Sequence, residues 1–381
     1  MRVTIDARPA VDREKTGVGY YAWHLIRRLP EVDPETTYVA WYVHVRTAVR
    51  RWRHFDRLGL PNLRERGIVY PSRLLERTAR YGVPRVEWFG RFDVLFGTNF
   101  VPPPTRAPRV VVTVHDLAFR RYPETAPQAV AWWRDALERT VRRAKRVIVP
   151  SAATRDDLLE LYEVEPERVA VIPLAVDLEV FRPPTPERVA AARERFGIDG
   201  PYLLAVGRTA RKNLPRLLRA FASIPEDLRP KLVVAGAPPW SPGGGDPTLE
   251  ALEALPRAVR EDVAFVGYVT DQQKVALLGG ALALVYPSLS EGFGFPALEA
   301  MACGTPVVTS GVSSLPEVVG PAGVLVDPLD PDSIAEGILR VIGDEPLRAR
   351  LRQAGIARAA EFDWRETARA TARVLHAAAE A

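Results

Sequence analysis

Two glutamates, Glu291 and Glu299, bracket the part of this sequence that is richest in groups able to hold a ligand. Between them, Gly292 and Gly294 allow backbone amides to come close to a ligand, and Pro296 suits the first turn of a helix. The start of that helix would add free N–H groups and a positive dipole end, which favour a phosphate group. The segment therefore predicts a nucleoside diphosphate site in which one carboxylate holds sugar hydroxyls and the other holds a ribose.

A second set of candidate residues is cationic and follows the apolar run Tyr202–Val206. Gly207 and Arg208 come first, and Lys212 follows within the same short segment. An arginine offers a forked pair of donors and a lysine offers a compact positive charge, and both suit phosphate oxygens. These residues predict a phosphate-binding loop, although the same pattern also fits the basic start of a surface helix.

One histidine also lies where chemistry is expected. His115 and Asp116 directly follow the apolar run 110–114. Ligands of open parallel sheets sit beyond the carboxyl ends of the strands, so a strand that ends in a histidine places it beside a ligand. A lone histidine is more often a structural residue, but this position makes His115 a candidate active-site residue.

The rest of the sequence must supply the elements that position these residues. Short apolar runs alternate with amphipathic stretches such as 132–143 and 214–222, which is typical of parallel sheets covered by helices on both sides. The pattern restarts after the proline-rich segment 181–186, so we predict an α/β protein with two doubly wound, Rossmann-like domains. The expected strands are 3–6, 38–43, 92–96, 110–114, 146–149, 169–172, 202–206, 231–235, 263–266, 282–286, 306–309 and 324–326.

The length of the chain also favours two domains, because 381 residues are too many for one ordinary core. The predicted boundaries are 1–177 for the first domain and 178–363 for the second. Residues 364–381 are expected to form an alanine-rich helix that either caps the second domain or crosses back to the first. Hydrophobic residues make up 47% of the chain and charged residues 26%, as in soluble globular enzymes.

The composition favours a cytoplasmic protein. No stretch approaches the roughly 18 apolar residues of a membrane span. Residues 1–6 are expected to form a first strand rather than a signal peptide, because an apolar segment is missing there. Cys303 is the single cysteine and cannot form an internal disulfide, which fits either a reducing cytoplasm or a fold that is indifferent to redox conditions.

Positive charge is concentrated in the first half of the chain. Residues 46–91 contain 12 arginines and four carboxylates, whereas the whole chain has a net charge of only +5. This indicates an anionic partner, and the stretch has no recognised nucleic-acid module. Two interpretations of its aromatic residues stay open: they form part of a core, or they rest on the anionic inner face of the plasma membrane. These residues are Trp52, Phe55, Tyr70, Tyr81, Trp88 and Phe89.

Taken together, the motifs resemble those of glycosyltransferase family four, which has the GT-B fold. The run from Glu291 to Glu299 is similar to the Glu-x7-Glu signature of that family. The resemblance covers nearly the whole chain, and the glycine-rich first loop resembles that of bacterial mannosyltransferase-like members. The other matching segments are 6–8, 16–21, 147–151, 171–177, 207–213, 266–269 and 304–308.

The resemblance implies a first, acceptor-binding domain that faces a second, donor-binding domain across a cleft. It also implies the residues that act in that cleft. The implied catalytic residues are His115, Glu291, Arg208 and Lys212. The implied donor-binding residues are Gly17, Gly19, Gly207, Arg208, Lys212, Gly236, Gly267, Tyr268, Glu291, Gly292, Phe293, Gly294 and Glu299.

By the same resemblance, a sugar is transferred with retention of its anomeric configuration. Arg208, Lys212 and the helix start near Phe295 would stabilise the leaving diphosphate without a metal ion or another cofactor. A double displacement would need a carboxylate beneath the anomeric carbon, and no residue is assigned to that position. His115 would orient the donor sugar and the acceptor, and need not act as a general base.

The identity of the substrates is expected from resemblance alone. The first loop favours GDP-mannose as the donor, with UDP-glucose as the main alternative. The expected acceptor is a glycan or a lipid-linked intermediate of cell-envelope polysaccharide synthesis. A non-catalytic sugar-nucleotide-binding protein of the same fold would be expected to lack Glu291, Arg208 or Lys212, and all three are present.

Two further motifs point to other chemistry. The run from Gly17 to Ala22 spells the dinucleotide fingerprint Gly-x-Gly-x-x-Ala, but the second predicted strand does not end in an acidic residue. Asp330 and Asp332 spell the Asp-x-Asp motif of metal-dependent glycosyltransferases, but Asp330 is predicted to cap a helix that begins with Pro331. Neither a dehydrogenase nor a metal site is therefore expected.

Overall fold

A computed structural model describes residues 1–11, 16–44, 55–69, 83–125, 130–237 and 246–380. The chain forms two compact units. The first unit consists of Met1–Leu117, Gln128–Leu174 and Asp363–Ala381, and the second consists of Ala118–Pro127 and Ala175–Phe362. The C-terminal segment is therefore part of the first unit.

Each unit contains one parallel sheet. Within the described residues, the strands of the first sheet are β1 (Arg2–Asp6), β2 (Thr37–His44), β3 (Leu63–Val69), β4 (Val94–Gly97), β5 (Val110–Thr113), β6 (Arg146–Val149) and β7 (Val169–Val171). Those of the second sheet are β8 (Tyr202–Val206), β9 (Lys231–Ala235), β10 (Val263–Gly267), β11 (Ala283–Tyr286), β12 (Val307–Ser310) and β13 (Gly323–Val326). The strand orders are β3-β2-β1-β4-β5-β6-β7 and β10-β9-β8-β11-β12-β13.

Helices alternate with these strands along the chain. In the part of the chain that the structure describes they are α1 (Gly17–Val32), α2 (Ala118–Arg121), α3 (Val130–Arg143), α4 (Ala152–Leu161), α5 (Pro186–Phe196), α6 (Leu214–Ala222), α7 (Pro247–Glu253), α8 (Arg257–Arg260), α9 (Asp271–Gly280), α10 (Phe295–Ala302), α11 (Leu315–Val319), α12 (Pro331–Gly343), α13 (Glu345–Ala360) and α14 (Trp364–Glu380). The predicted α/β architecture with two Rossmann-like sheets is confirmed.

The strand orders explain where a ligand can bind. In each sheet the second and third strands are added on one side of the first strand, and the later strands are added on its other side. The strand β1 therefore lies next to β4, and β8 lies next to β11. The loops that leave two such neighbouring strands diverge to opposite faces and open a crevice at the carboxyl edge. In the second unit this crevice lies where the loops after β8 and β11 begin.

The sequence prediction missed one strand, β3. Its residues Arg64, Glu65 and Arg66 are charged, which hides the apolar pattern of a buried strand. The strand lies at the edge of the sheet and pairs only with β2 among the described strands, and edge strands commonly carry charged side chains. Glu65 accepts hydrogen bonds from the hydroxyl of Tyr42 and from the backbone N–H of Phe55, so its charge is satisfied on one face.

The last helix, α14, packs against α1 within the first unit. The ring of Trp364 stacks on that of His24, with centroids 4.5 Å apart and planes 5° from parallel. The hydroxyl of Thr367 donates a hydrogen bond of 2.8 Å to the carbonyl oxygen of Pro173. Stacking and hydrogen bonding therefore fix this helix on the first unit.

The arginine-rich stretch 46–91 is described only in part. Three of its aromatic residues lie outside the described residues, namely Trp52, Tyr70 and Tyr81. Phe55 is 1% exposed and packs against Trp23 at 5.7 Å between ring centroids, so it belongs to the core. Trp88 is instead 59% exposed. In the described part of the chain, no helix is both long and apolar enough to cross a membrane.

The close packing of α12 on the second sheet can be tested at Gly337. A Cβ atom there would lie 2.5 Å from Cγ1 of Val326 and 3.1 Å from Cγ1 of Val308. We expect Gly337→Ala to lower the free energy of unfolding by about 1–3 kcal/mol, because overpacking outweighs the gain in helix propensity. Gly343→Ala is the matched control at the end of the same helix, with no atom within 4 Å of its Cβ. Urea denaturation should separate the two variants, and equal stabilities would contradict the close packing.

Candidate active site

The loop after β8 is shaped by residues with left-handed backbone. Gly207 has φ +91°, and a Cβ atom there would lie 3.0 Å from Cε of Lys212. Asn213 has φ 61° and precedes α6. Its side-chain amide donates hydrogen bonds to the carbonyl oxygens of Pro287 at 3.0 Å and Pro328 at 2.6 Å. The buried amide therefore ties the loop after β8 to the loop after β11.

Glu291 is the centre of a buried network between these two loops. Its side chain is 6% exposed. Oε1 accepts hydrogen bonds from Nζ of Lys212 at 2.6 Å, from the hydroxyl of Tyr286 at 2.8 Å and from that of Ser288 at 2.6 Å. Oε2 lies 3.1 Å from Nη1 of Arg211. Both carboxylate oxygens are therefore held by protein donors.

The charges in this network decide its protonation. Burial alone would raise the pKa of Glu291, but the positive charges of Lys212 and Arg211 overcome it and lower the pKa to about 2. Burial, together with the charge of Glu291, raises the pKa of the Tyr286 hydroxyl well above its ordinary value. At neutral pH the network therefore contains an ionised carboxylate beside a neutral tyrosine.

Arg208 follows β8 but does not join this network. Its side chain is 7% exposed, and Nη2 forms a 2.5 Å ion pair with Oδ2 of Asp246, which caps the start of α7. The guanidinium lies 4.7 Å from the ring centroid of Phe265. Its buried Nε has no hydrogen-bond partner among the described residues. A donor is thus available for an additional acceptor, such as a phosphate oxygen.

Three glycines lie at the carboxyl ends of neighbouring strands of the second sheet: Gly207 follows β8, Gly236 follows β9, and Gly267 is the last residue of β10. Gly207 donates its backbone N–H to Ala235, and Gly236 donates to Gly267, both at 2.8 Å. A Cβ atom at Gly236 would lie 3.2 Å from Cα of Gly207, so the two backbones approach closely. Tyr268, next along the chain, is 60% exposed. These predicted donor-binding residues therefore share one edge of the sheet.

The helix start that the sequence predicts between Glu291 and Glu299 is present as α10. Gly294 precedes it with φ +106°, and a Cβ atom there would lie 2.7 Å from Cδ2 of Leu315. Phe293 is 5% exposed and packs edge-on against Phe295 and Phe362. The segment from Gly292 therefore enters the helix along a path that admits no side chain at Gly294.

Glu299 lies on α10 and is 8% exposed. Its Oε1 accepts a 2.9 Å hydrogen bond from Nζ of Lys274, which lies on α9 and also over the ring of Phe181. Oε2 is buried without a hydrogen-bond partner among the described residues. Burial raises the pKa of Glu299, and Lys274 offsets part of that effect. The free oxygen can accept hydrogen bonds from a ligand hydroxyl.

The candidate residues of the first unit lie at the carboxyl edge of its own sheet. Nε2 of His115 lies 2.8 Å from the carbonyl oxygen of Thr98, which can only accept, so Nε2 carries the proton. The ring contacts Tyr21 edge-on at 5.0 Å between centroids. Burial lowers the pKa of His115. The imidazole is therefore neutral at neutral pH, with its lone pair on Nδ1.

The glycines of the first loop lie in the first turn of α1. Gly17 is exposed, whereas Gly19 is buried and points its backbone N–H at the hydroxyl of Thr16, 3.5 Å away. Thr16 is the cap of this helix. Their predicted contact with a donor stays a prediction.

The structure brings in residues that the sequence reasoning missed. Arg211 and Tyr286 hold Glu291, Asp246 holds Arg208, and Lys274 holds Glu299. The proximity of Arg211 to Lys212 was a usable signal. Tyr286 lies only five residues before Glu291, whereas the contacts of Asp246 and Lys274 join distant segments that no local pattern marks. Outside the site, Asp330 caps α12 as predicted, by accepting from the backbone N–H of Asp332.

The sequence matches two family profiles and several proteins. Glycosyltransferase Family 4 matches residues 15–180, and Glycosyl transferases group 1 matches residues 190–358. O-antigen chain mannosyltransferase B of Escherichia coli is 34% identical over 277 residues, 71% of this chain and 71% of the relative. MMP alpha-(1->4)-mannosyltransferase of Mycolicibacterium hassiacum is 32% identical over 311 residues, 76% of this chain and 71% of the relative.

Solved structures show the same fold. Sucrose-phosphate synthase from Thermosynechococcus elongatus superposes with a TM-score of 0.72 at 23% identity, over 99% of this chain and 98% of that one. HepE of Anabaena, in complex with UDP-glucose, gives a TM-score of 0.71 at 18% identity, over 99% and 100%. The predicted GT-B fold is confirmed.

The ionised state of Glu291 predicts a dependence of stability on pH. Its pKa is lowered from an ordinary value of 4.5 to about 2, so its stabilising contribution is present above pH 4.5 and is lost as the pH falls toward 2. We expect the free energy of unfolding of the wild type to fall more steeply over that range than that of Glu291→Gln, by up to about 3 kcal/mol. Glu336→Gln, exposed on α12, should keep the wild-type slope. Parallel profiles for all three proteins in urea denaturation would refute the coupling.

Proposed function

This chain belongs to the group 1 glycosyltransferases of family 4 and is an enzyme of glycan synthesis, and from that premise we propose that it transfers mannose from GDP-mannose with retention of configuration. The acceptor in this proposal is a glycan or lipid-linked intermediate of cell-envelope polysaccharide synthesis. The observation that carries the proposal is the buried network of Glu291 with Lys212 and Arg211, directly before the start of α10.

The proposed sugar and acceptor rest on the relatives. Both relatives named above are mannosyltransferases, and one acts on an O-antigen chain by its name. UDP-glucose is the alternative donor, since HepE was solved with that nucleotide sugar bound. In either case we place the base near the exposed ring of Tyr268, at the edge where the three glycines lie.

The proposed mechanism stabilises a leaving diphosphate. When the anomeric C–O bond breaks, negative charge grows on the diphosphate and positive charge on the sugar. Lys212, Arg208 and the N–H groups at the start of α10 supply preorganised positive charge for the diphosphate. Arg208 would exchange part of its pairing with Asp246 for phosphate oxygens. These groups can neutralise the diphosphate themselves, so we propose that no metal ion or other cofactor is required.

Glu291 has a different role in this mechanism. A carboxylate with a pKa of about 2 holds no proton to donate at neutral pH and is a weak base. We assign it to holding Lys212 in place and to accepting a hydrogen bond from the donor sugar. The acceptor hydroxyl then attacks from the face that the diphosphate leaves. Its proton passes to a leaving phosphate oxygen as the new C–O bond forms.

Two further residues complete the proposed donor contacts. The free Oε2 of Glu299 accepts hydrogen bonds from ribose hydroxyls, which would satisfy a buried atom that otherwise lacks a partner among the described residues. His115 accepts a hydrogen bond from a sugar or acceptor hydroxyl through Nδ1, since its Nε2 is engaged by Thr98. The histidine orients a hydroxyl in this role and removes no proton.

A ligand screen tests the donor. We expect GDP-mannose to raise the melting temperature more than UDP-glucose, ADP-glucose or dTDP-glucose at equal concentration. A ligand at 100 times its dissociation constant stabilises the folded state by about 2.7 kcal/mol, which a thermal-shift assay detects. A larger shift with UDP-glucose would replace GDP-mannose as the donor. The absence of a shift with every nucleotide sugar would refute the proposed site.

Two variants separate the proposed roles of the site residues. Glu291→Gln should slow transfer to a mannose-terminated oligosaccharide by about 100-fold or more, with the donor dissociation constant changed by less than about threefold. Arg208→Gln should weaken both transfer and donor binding. The donor should bind about 10–100-fold less tightly, because charge-assisted hydrogen bonds are lost. Arg257→Gln removes an equal charge from the exposed helix α8 and should change neither. Wild-type transfer by Glu291→Gln is the result that would remove its assignment.

A further inference from the structure

A pocket of about 300 Å³ lies on one face of the first sheet, and its described lining contains none of the proposed donor contacts. It opens over β1, β2 and β3 and is closed on one side by the turn Val86–Phe89. Its described lining is Arg2, Thr4, Thr37, Val39, Trp41, Arg64, Arg66, Val86, Phe89, Gly90 and Arg91.

The strand register explains why so many arginines meet there. Arg64 pairs with Val39, and Arg66 pairs with Trp41, so these side chains leave the sheet on the same face. Arg2 pairs with Thr37 and projects from that face one strand further along. Glu65 lies between the two arginines of β3 and points to the opposite face, where it meets Tyr42 and Phe55. Alternation along the edge strand thus collects positive charge on one side.

The rim of the pocket is rich in donors. Arg2, Arg64, Arg66 and Arg91 are all exposed, and each guanidinium offers five N–H donors and no acceptor. Asp93 is the carboxylate that touches this group among the described residues, and it accepts from the backbone N–H of Arg2 rather than from a guanidinium. Nη1 of Arg64 donates to the carbonyl oxygens of Pro61 and Leu63, and Nη1 of Arg2 donates to that of Arg91. These partners are uncharged, so the rim keeps a positive charge and further free donors.

The floor of the pocket also favours a ligand that carries hydrogen-bond acceptors. Trp41 is 2% exposed, yet its buried Nε1–H has no hydrogen-bond acceptor among the described residues. A buried donor without an acceptor is unfavourable, and most such donors are satisfied by a partner. An acceptor oxygen that reached the floor of the pocket would satisfy this donor, while the arginines would hold the other oxygens of the ligand. Val39, Val86 and Phe89 add an apolar wall.

We propose that this pocket binds a phosphate group, as a monoester or diester, at a site separate from the nucleotide-sugar site. A phosphate group offers only acceptors to a pocket whose polar groups are mainly donors, and its oxygens match the fork of an arginine. A neutral sugar carries no charge to offset that of the arginines, and each of its hydroxyls brings a donor as well as acceptor sites. The charge and the unpaired indole N–H together favour an anion with several oxygens.

The phosphate group has two possible sources. It is carried by a phosphorylated glycan or other soluble phosphate compound, or by a lipid headgroup at a membrane surface. Trp88, which is 59% exposed on the turn beside the pocket, has the type of side chain that enters the interface of a membrane. The chemistry in the pocket is the same for both sources, so the experiment includes one probe for each.

The test uses the full chain and a matched pair of double variants. Arg64→Gln with Arg66→Gln removes two charges from the pocket, at exposed positions of an edge strand where folding is least affected. Arg139→Gln with Arg373→Gln removes two charges from exposed positions of α3 and α14. Trp41→Phe keeps the ring and removes only the N–H. Thermal shifts with inorganic phosphate give the affinity of each protein, and GDP-mannose is titrated in parallel.

We expect the pocket double variant to bind phosphate at least about tenfold more weakly than the control, and Trp41→Phe to bind about tenfold more weakly than the wild type, as for the loss of one charge-assisted hydrogen bond. The shift with GDP-mannose should be unchanged in all three variants. The GDP-mannose titration separates this proposal from the proposed function. If GDP-mannose does not shift the melting temperature of the wild type, the proposed donor is wrong, but the comparison of phosphate binding between the variants still holds.

Vesicles distinguish the source of the phosphate. If the group belongs to a lipid, sedimentation with phosphatidylglycerol in phosphatidylcholine should fall in the pocket double variant and not in the control. Phosphatidylcholine alone should bind both proteins more weakly, because its choline group offsets the charge of its phosphate. If the group belongs to a soluble compound, the two variants should differ in their binding of inorganic phosphate and should sediment equally with vesicles. Equal phosphate binding and equal sedimentation of the pocket and control variants would overturn the proposal.

Discussion

The candidate site of the second unit depends on one buried ion pair, between Lys212 and Glu291. Two charges removed from water are costly, and the pair is stable only where further hydrogen bonds complete it. Tyr286 and Ser288 supply those bonds, and Arg211 adds a second positive charge. The pair also joins the loop after β8 to the loop after β11. One contact thus positions both the cation proposed to face the diphosphate and the carboxylate proposed to face the sugar.

The backbone around this pair is constrained as strongly as the side chains. Gly207 and Gly294 have positive φ, and a Cβ atom at either position would meet Lys212 or Leu315 at 3.0 Å or less. A Cβ atom at Gly236 would lie 3.2 Å from Cα of Gly207, so the backbones that leave β8 and β9 lie near one another without intervening side chains. Such an edge lets a ligand come close to the backbone beside the start of α10, whose N–H groups suit a diphosphate.

Much of this arrangement followed from local patterns. The apolar runs on both faces predicted parallel strands, and the proline and glycine at the two ends of α10 predicted that helix, because each effect acts within a few residues. The strand β3 was missed because Arg64, Glu65 and Arg66 break the apolar pattern, and only the sheet shows that this strand lies at an edge. The same alternation of charges collects arginines on one face of that edge.

Local patterns in the amino-acid sequence were sufficient to predict the fold class, the family and the segments that form the site, because strand patterns and glycine positions extend over only a few residues. These patterns could not determine the partner of each charge. Arg208 pairs with Asp246 rather than with Glu291, and Glu299 pairs with Lys274, although these residues are separated along the chain. These pairs are visible only in the folded chain, since a buried charge is stabilised by whichever donor or acceptor the packing of the strands and helices brings within hydrogen-bond distance.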